Sequence, residues 1–227
     1  MSRVVALLSG LVLMCAVVGS CSGDAPADES GSDENRKLSI VIAIPVDYES
    51  QIPGALILAE SVRKYAGELS NVPVRIFVPS GLAPAIADQG EKLATLDVEI
   101  SEVVVPEQAF NYILGAKPFL AARAEKDADG VDFVAILAPN TIVLQPPTDF
   151  VLPEGVALGY STVHHQNIGS AASEPLDDFW SRLYQVVGVS GGRVFTNETL
   201  ADEVTVRFYF NAGSFVVRPE EGLLQIG

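Results

Sequence analysis

The feature that most constrains the fold is an alternation of short apolar runs with amphipathic segments across the first half of the chain. Residues 38–46 (LSIVIAIPV) form an apolar run rich in β-branched side chains, which indicates a strand buried on both faces. Residues 52–66 then place apolar side chains at helical spacing. A buried strand followed by an amphipathic helix is the repeating unit of a parallel sheet.

The same unit recurs along the chain. The alternation predicts a single α/β domain over residues 37–227, with a mostly parallel sheet flanked by helices on both faces. Ligands of such sheets bind beyond the carboxyl ends of the strands, here residues 45–47, 79–81 and 138–140. The predicted strands are residues 72–78, 98–105, 132–137 and 141–144, and the predicted helices are residues 82–96 and 108–127.

The second half of the chain is less regular. It predicts a strand at residues 156–160, a polar loop, and an amphipathic helix at residues 176–187 with one apolar side. Residues 204–210 alternate as in a strand, and residues 211–213 predict a turn into a last strand at residues 214–217.

Charge and cysteine content exclude several classes of function. The chain has 29 acidic and 14 basic residues among 227, a formal net charge of −15, which excludes a nucleic-acid partner and membrane attachment by charge alone. Both cysteines, Cys15 and Cys21, lie in the N-terminal leader. The predicted domain therefore has no disulfide, thiolate metal site or cysteine nucleophile.

The N-terminal leader predicts export. Residues 1–20 combine one early arginine with an apolar run that ends in small residues, as in a signal peptide, and the run is short for a membrane span. Residues 18–21 (VGSC) resemble a bacterial lipobox, which implies acylation of Cys21; the alternative is a plain signal peptide with Cys21 incidental. The small, acidic residues that follow predict a disordered linker, so that residues 21–36 tether the domain to the bacterial cell envelope, facing outside the cytoplasm.

Two segments carry a resemblance to a known family. The stretch DFVAILAPNTIVL (residues 132–144) resembles the central strand of nucleotide-diphospho-sugar transferases with the GT-A fold, particularly the glycogenin-like family. The stretch YFNAGSFVVRPEEG (residues 209–222) is similar to that family's Phe-Asn-Ala-Gly segment, and Lys117-Pro118 precedes the central strand as in those enzymes. The resemblance implies a GT-A-like domain that binds a sugar, nucleotide sugar or glycan.

The sequence departs from the family at its metal site. The two aspartates of the family's Asp-x-Asp motif correspond to Ala138 and Asn140, which supply no carboxylate, so a divalent metal cofactor is not expected. The chain also ends at Gly227, before the family's C-terminal metal-binding histidine, so we expect either a reduced domain or a fragment. Whether catalysis survives is therefore left open.

The resemblance and the residue types together nominate ligand-binding residues. Asp47 corresponds to a contact with the nucleotide base or ribose, or is a solvated turn residue. Asn140 is a candidate donor to a sugar hydroxyl or phosphate oxygen, or a turn residue. Asn211 corresponds to the acceptor side of the family's cleft, or stabilises a turn.

The catalytic candidates are Lys117, His164 and His165. Lys117 offers a cation that offsets phosphate charge, or is a solvated residue at a helix start. The two histidines stand next to each other with Asn167 close by, and one of them is a candidate acid–base group or sugar ligand. In an extended segment adjacent side chains point to opposite faces, so the pair is a poor metal site.

Three functions follow from these observations. The first is an exported lipoprotein whose glycosyltransferase-like domain binds a sugar, nucleotide sugar or glycan without the usual metal site. The second is an active, metal-independent glycosyltransferase with a non-standard donor, because nucleotide sugars are not expected outside the cytoplasm. The third is a structural or interaction lipoprotein with a vestigial cleft.

Overall fold

The computed structural model describes residues 3–6, 38–189 and 195–225. Cys21, the predicted linker and the predicted signal peptide other than residues 3–6 lie outside the described residues. None of the helices in these ranges has the length and apolar character needed to cross a membrane.

The predicted alternation of strands and helices in the first half is confirmed. After a short N-terminal strand, four strands alternate with helices up to residue 137. In chain order the elements are β1 (Arg3–Ala6), β2 (Ile40–Pro45), α1 (Ile52–Tyr65), β3 (Val74–Pro79), α2 (Ala83–Ala87), α3 (Gly90–Thr95), β4 (Val98–Val103), α4 (Lys117–Lys126) and β5 (Phe133–Leu137).

The second half completes the main sheet and adds a two-stranded antiparallel ribbon formed by β7 and β8. Its elements are β6 (Val156–Thr162), α5 (Asp178–Val187), β7 (Thr196–Glu198), β8 (Thr205–Arg207) and β9 (Phe210–Val217).

The main sheet has seven strands in the order β1-β6-β9-β5-β2-β3-β4. Strand β9 runs antiparallel to both of its neighbours, β5 and β6, and every other pairing is parallel. The carboxyl ends of β2 to β6 therefore meet at one edge of the sheet, together with the beginning of β9.

Apolar helices cover both faces of the sheet, as predicted. Leu58 of α1 packs with Ile42 and Ile44 of β2 on one face, whereas Leu120 of α4 packs with Ala43 of β2 on the other. All six residues of β2 are buried, which is the reason for its uninterrupted apolar sequence.

Two predicted helices are shorter than expected. Residues 82–96 form α2 and α3 instead of one helix, because the chain turns at residues 88–89 before Gly90, a residue that disfavours helix interiors. Residues 108–127 are predicted to be mostly helical, with Lys117-Pro118 starting the main segment. That segment does begin there as α4, and residues 108–116 lie outside it because Pro118 lacks the N–H that a continuous helix would need.

The predicted strand at residues 141–144 is wrong, because both sides of β5 are already paired with β2 and β9. The segment instead runs beside α1. The N–H of Val143 donates to the Ser61 hydroxyl at 2.9 Å, and Pro139 and Pro146 pack against Gly54 and Gly67 near the two ends of the helix.

The predicted turn at residues 211–213 is also wrong, because these residues lie within β9. The pairing register is irregular there: Tyr160 pairs with Phe215, but the next residue, Ser161, pairs with Asn211. The intervening residues form a bulge. The predicted apolar side of α5 is only partly packed: Trp180 is buried, while Phe179 and Val187 are exposed.

Candidate functional site at the carboxyl edge of the sheet

The residues nominated from the sequence lie along the carboxyl edge in the order of the strands. From β6 towards β2, the sequence of candidates is His164, Asn211, Asn140 and Asp47. A cleft of about 470 Å³ lies beside Asp47, between the ends of β2, β3 and β4. It is lined by Asp47, Tyr48, Glu49, Pro79, Ser80, Gly81, Leu82, Val103, Val104, Val105 and Phe110.

Asp47 is a buried carboxylate on the wall of this cleft. The chain is positioned there by the N–H of Val46, which donates to the Phe77 carbonyl, and by the N–H of Asp47, which donates to Gln51 Oε1, each at 2.9 Å. Only 7% of Asp47 is exposed, and its Oδ2 atom has no hydrogen-bond partner in the described part of the chain. A buried polar atom without a hydrogen-bond partner is costly.

Lys117 is the cation that faces Asp47. It is half-buried at the first residue of α4, the end of the helix that carries the positive pole of the dipole. Burial raises the pKa of the Asp47 carboxyl, and the charge of Lys117 opposes that rise. Burial likewise lowers the pKa of the Lys117 ammonium, and the charge of Asp47 opposes that fall. The two charges therefore interact with each other, although Lys117 is not among the residues that line the cleft.

A folded-back segment before α4 holds Lys117 in place. The N–H of Gly115 donates to the Tyr112 carbonyl at 2.8 Å, and a Cβ atom at Gly115 would overlap the Ala109 carbonyl oxygen. Position 115 therefore requires glycine. The hydroxyl of Tyr48 donates to the Ile113 carbonyl at 2.8 Å, which ties the segment to the tip of β2.

The turn after β5 presents Asn140. Ala138 is buried and its N–H donates to the Gly213 carbonyl at 2.7 Å, so the turn is braced against β9. On its other side the Pro139 carbonyl oxygen packs so closely against Gly54 that a side chain at position 54 would overlap it. Asn140 is exposed, and its side chain forms no hydrogen bond within the described ranges.

The donor set at this turn does not fit the divalent metal that the family resemblance implies. Ala138 has no ligand atom, and Asn140 offers one neutral carbonyl oxygen. Among residues 38–189 and 195–225, no three His, Cys, Asp or Glu side chains are grouped so as to hold a metal ion. Independence from metal remains a prediction for experiment.

The histidine cluster lies away from the cleft. His164 and His165 follow β6 and are exposed, and β6 is three strands from β2, about 14 Å at the usual spacing. The Nδ1 atom of His165 lies 3.7 Å from Asp202 Oδ2. Neither histidine therefore lies at the same position along the edge as Asp47.

Asn167 and Asn211 occupy the stretch of the edge near the histidines. The Asn167 side-chain oxygen accepts a hydrogen bond from the Tyr209 hydroxyl at 2.8 Å. Asn211 is exposed, and its side-chain oxygen accepts from the N–H of Gly213 at 2.9 Å. Asn211 thus stabilises the bulge of β9, and its amide nitrogen is left for a ligand.

Sequence reasoning missed Tyr48, Tyr209 and the apolar cleft lining. Tyr209 stands in the quoted YFNAGS segment and Tyr48 follows Asp47, so position alone was a usable signal for both. Val104 and Phe110 carried no such signal, because apolar side chains in these segments predict a strand and a helix core.

Comparison with known proteins identifies similar folds only. No protein-family model matches the chain, and no curated protein matches its sequence. Among solved structures, the chain is similar to the galactosyltransferase LgtC in complex with donor and acceptor sugar analogs, with 16% identity and a TM-score of 0.49. That match covers 80% of this chain and 58% of LgtC, so the chain spans less than two thirds of that enzyme.

Two further structures are similar over most of the chain. The bifunctional glycosyltransferase WbbM has 12% identity and a TM-score of 0.47, over 84% of this chain and 34% of its own. Core-mannan synthase A from Aspergillus fumigatus, in a Mn/GDP form, has 9% identity and a TM-score of 0.43. That match covers 84% of this chain and 62% of the synthase. These neighbours are GT-A-type glycosyltransferases. The sheet of this chain is mixed and mostly parallel.

Proposed function

We propose that this chain is an exported, lipid-anchored protein whose GT-A-like domain binds a sugar, nucleotide sugar or glycan at the carboxyl edge of its sheet, without the usual metal site. The observation that carries the proposal is the unpartnered, buried Oδ2 atom of Asp47, a residue that lines the cleft and whose charge interacts with that of Lys117. Asn140 extends the same edge with a free amide.

The chemistry of these groups suits a polyhydroxylated ligand. The Asp47 carboxylate accepts hydrogen bonds from hydroxyl or N–H groups, Asn140 both donates and accepts, and Lys117 offers a point charge to an anionic group. The cleft beside them falls within the range of small-molecule sites. Such an arrangement holds a ligand by hydrogen bonds and one charge.

A metal-independent glycosyltransferase is the second candidate. The half-buried Lys117 ammonium supports it, because a cation beside the cleft can offset the charge of a phosphate leaving group without a metal. This candidate predicts product formation in the presence of a chelator. Absence of turnover with every donor, including lipid-linked ones, would contradict it.

A thermal-shift series on the full chain tests the proposal. Nucleotide sugars and oligosaccharides are added with and without manganese, and a ligand at 100 times its Kd adds about 2.7 kcal/mol. For a domain of this size we expect Tm to rise by roughly 5–10 °C. The shift should be the same with and without manganese. If no ligand in the series changes the Tm, a vestigial cleft is favoured. A shift in Tm that requires manganese would contradict the proposed site.

Paired substitutions locate the ligand. We expect Asn140→Ala and Lys117→Met to remove most of the shift, because each deletes one polar contact at the edge. Asn71→Ala lies at the opposite end of the sheet and Lys126→Met at the other end of α4, so both controls should keep the wild-type shift. Equal responses in the variants and their controls would place the ligand elsewhere.

A further inference from the structure

The charged side chains that line the cleft beside Asp47 are all acidic. Asp47 and Glu49 are the charged residues among those that line it, and the other lining residues are neutral. Within the described part of the chain, no lysine or arginine lies on the cleft wall. A ligand that enters the cleft is therefore surrounded by carboxylates and neutral groups.

The two carboxylates differ in how far their charges are balanced. Asp47 is buried, and its charge interacts with that of the half-buried Lys117. Glu49 is exposed and forms no ion pair with any residue in the described ranges. The negative charge of Glu49 is therefore left for a cation that the ligand brings.

The buried carboxylate of Asp47 is a separate sign that the cleft is a binding site. Only 7% of Asp47 is exposed, and its Oδ2 atom has no hydrogen-bond partner among the described residues. Buried polar groups in folded proteins are nearly always hydrogen-bonded. Because an ionised carboxylate only accepts hydrogen bonds, the group that completes this site is a donor, such as a hydroxyl or an ammonium group.

Two aromatic residues favour an ammonium group among these donors. Tyr48 and Phe110 line the same cleft as the carboxylates. The Tyr48 hydroxyl already donates to the Ile113 carbonyl, so the contribution of Tyr48 to the cleft is its ring. An ammonium group that lies over an aromatic ring is attracted by the negative face of that ring. Carboxylates and aromatic rings together therefore suit a cation.

The same charges disfavour an anionic ligand. A diphosphate in the cleft would be repelled by Glu49, and Lys117 is not on the wall to offset that repulsion. Ala138 and Asn140 supply no carboxylate with which to hold a neutralising metal ion. The net charge of −15 acts in the same direction, because it attracts cations and repels anions at longer range.

We propose that the ligand of the cleft is a sugar that carries a free ammonium group, and that Glu49 selects for its positive charge. The ammonium group lies against Glu49 and the two aromatic residues, and the sugar hydroxyls donate to Asp47. This inference rests on the proposed function, and it names the ligand class of the same site.

Two sugars that differ only in charge test the inference on the full chain. One is the methyl glycoside of glucosamine, and the other is the methyl glycoside of glucose, which has a hydroxyl in place of the ammonium group. In ligand-observed NMR titrations at mildly acidic pH, we expect the glucosaminide to bind about tenfold more tightly, because a hydrogen bond from an ammonium to a carboxylate is roughly twice as strong as one between neutral groups. High salt should reduce the preference, because it screens exposed charges.

Matched variants assign the preference to Glu49. We expect Glu49→Gln to remove most of the preference for the glucosaminide, because glutamine keeps the size of the side chain and removes its charge. The control is Glu154→Gln, which removes the same charge at an exposed position before β6, at the opposite edge of the sheet. The control should keep the preference of the wild type, and both variants should keep its Tm.

The outcomes separate this inference from the proposed function. Equal affinity of the wild type for the two glycosides would overturn the inference and leave a sugar-binding cleft in place. An equal loss of preference in Glu49→Gln and Glu154→Gln would overturn it as well, because the preference would then come from the net charge of the whole chain. Tighter binding of a nucleotide sugar than of the glucosaminide would also overturn it. If no sugar, nucleotide sugar or glycan binds, the proposed function fails together with the inference.

Discussion

At the scale of single residues, Asp47 is a buried carboxylate that the folded protein keeps at an energetic cost. Only 7% of the residue is exposed, and Oδ2 lacks a hydrogen bond in the described structure. Burial raises the pKa of this carboxyl, so the ionised form is less favourable in the folded protein than in the unfolded chain. The unpartnered Oδ2 atom therefore lowers the stability of the folded protein, and a hydrogen bond donated to it by a ligand would offset that cost.

The substitution Asp47→Asn should stabilise the free protein and weaken ligand binding. Because the pKa is raised on folding, the stability linked to Asp47 is highest at low pH and is lost as pH rises from the unfolded pKa through the folded pKa. The variant has no such loss. We expect a gain on the order of 1 kcal/mol at pH 7, or roughly 2–4 °C in Tm, and a flatter Tm profile between pH 4 and pH 8.

The control for this prediction is Asp129→Asn, an exposed aspartate in the turn after α4. Its Tm should follow that of the wild type at every pH. A loss of stability in Asp47→Asn at pH 7 would mean that the carboxylate has a structural partner, and the ligand-binding role would be withdrawn.

At the scale of elements, the position of Asn140 depends on how α1 packs against the turn after β5. Gly54 lets the Pro139 carbonyl approach the first turn of the helix, and the N–H of Val143 donates to Ser61 further along it. The turn is held on its other side by β9, through the bond from Ala138 to Gly213. The ligand edge is therefore positioned by packing between elements that are distant in the sequence.

The substitution Gly54→Ala should displace this turn. Alanine normally favours a helix over glycine by about 1 kcal/mol, but here the added methyl group overlaps the Pro139 carbonyl. We expect a net loss of about 1–3 kcal/mol in urea denaturation and a weaker ligand shift. Gly90→Ala in α3 has open space around its Cβ and should be neutral or stabilising. If Gly54→Ala behaves like Gly90→Ala, the turn is not held by this contact.

At the scale of the whole molecule, charge and the predicted lipid anchor belong together. A chain with a net charge of −15 is repelled by anionic lipid, so charge alone would not attach it to a membrane. In the described ranges no helix could span a membrane. Attachment through Cys21 remains a prediction from the sequence.

The substitution Cys21→Ser tests the anchor in a bacterial host. We expect the full chain to fractionate with membranes and Cys21→Ser to be released, because a serine cannot carry the thioether-linked lipid. Cys15→Ser is the matched control, since it lies within the predicted signal peptide and should leave the protein membrane-bound. Retention of Cys21→Ser on membranes would contradict lipidation.

Several local elements could be predicted from the sequence because their cause is local. The burial of β2 on both faces and the packed face of α1 follow from which side chains are apolar. That positions 138 and 140 carry no carboxylate is likewise visible in the sequence. The strand prediction for residues 141–144 failed because of tertiary contacts. These residues have the composition of a strand, but β2 and β9 already pair with the two edges of β5.

The sequence by itself determined the α/β class, the acidic charge and the absence of a metal-binding motif at the sheet edge, because residue types decide these properties directly. Only the tertiary structure decided that the charges of Asp47 and Lys117 interact, that Asn211 lies in a bulged strand, and that Val104 and Phe110 line a cleft. Strand order brings these side chains together from distant parts of the chain. The physical reason is that burial and electrostatic pairing depend on neighbours in space, which the order of residues does not specify.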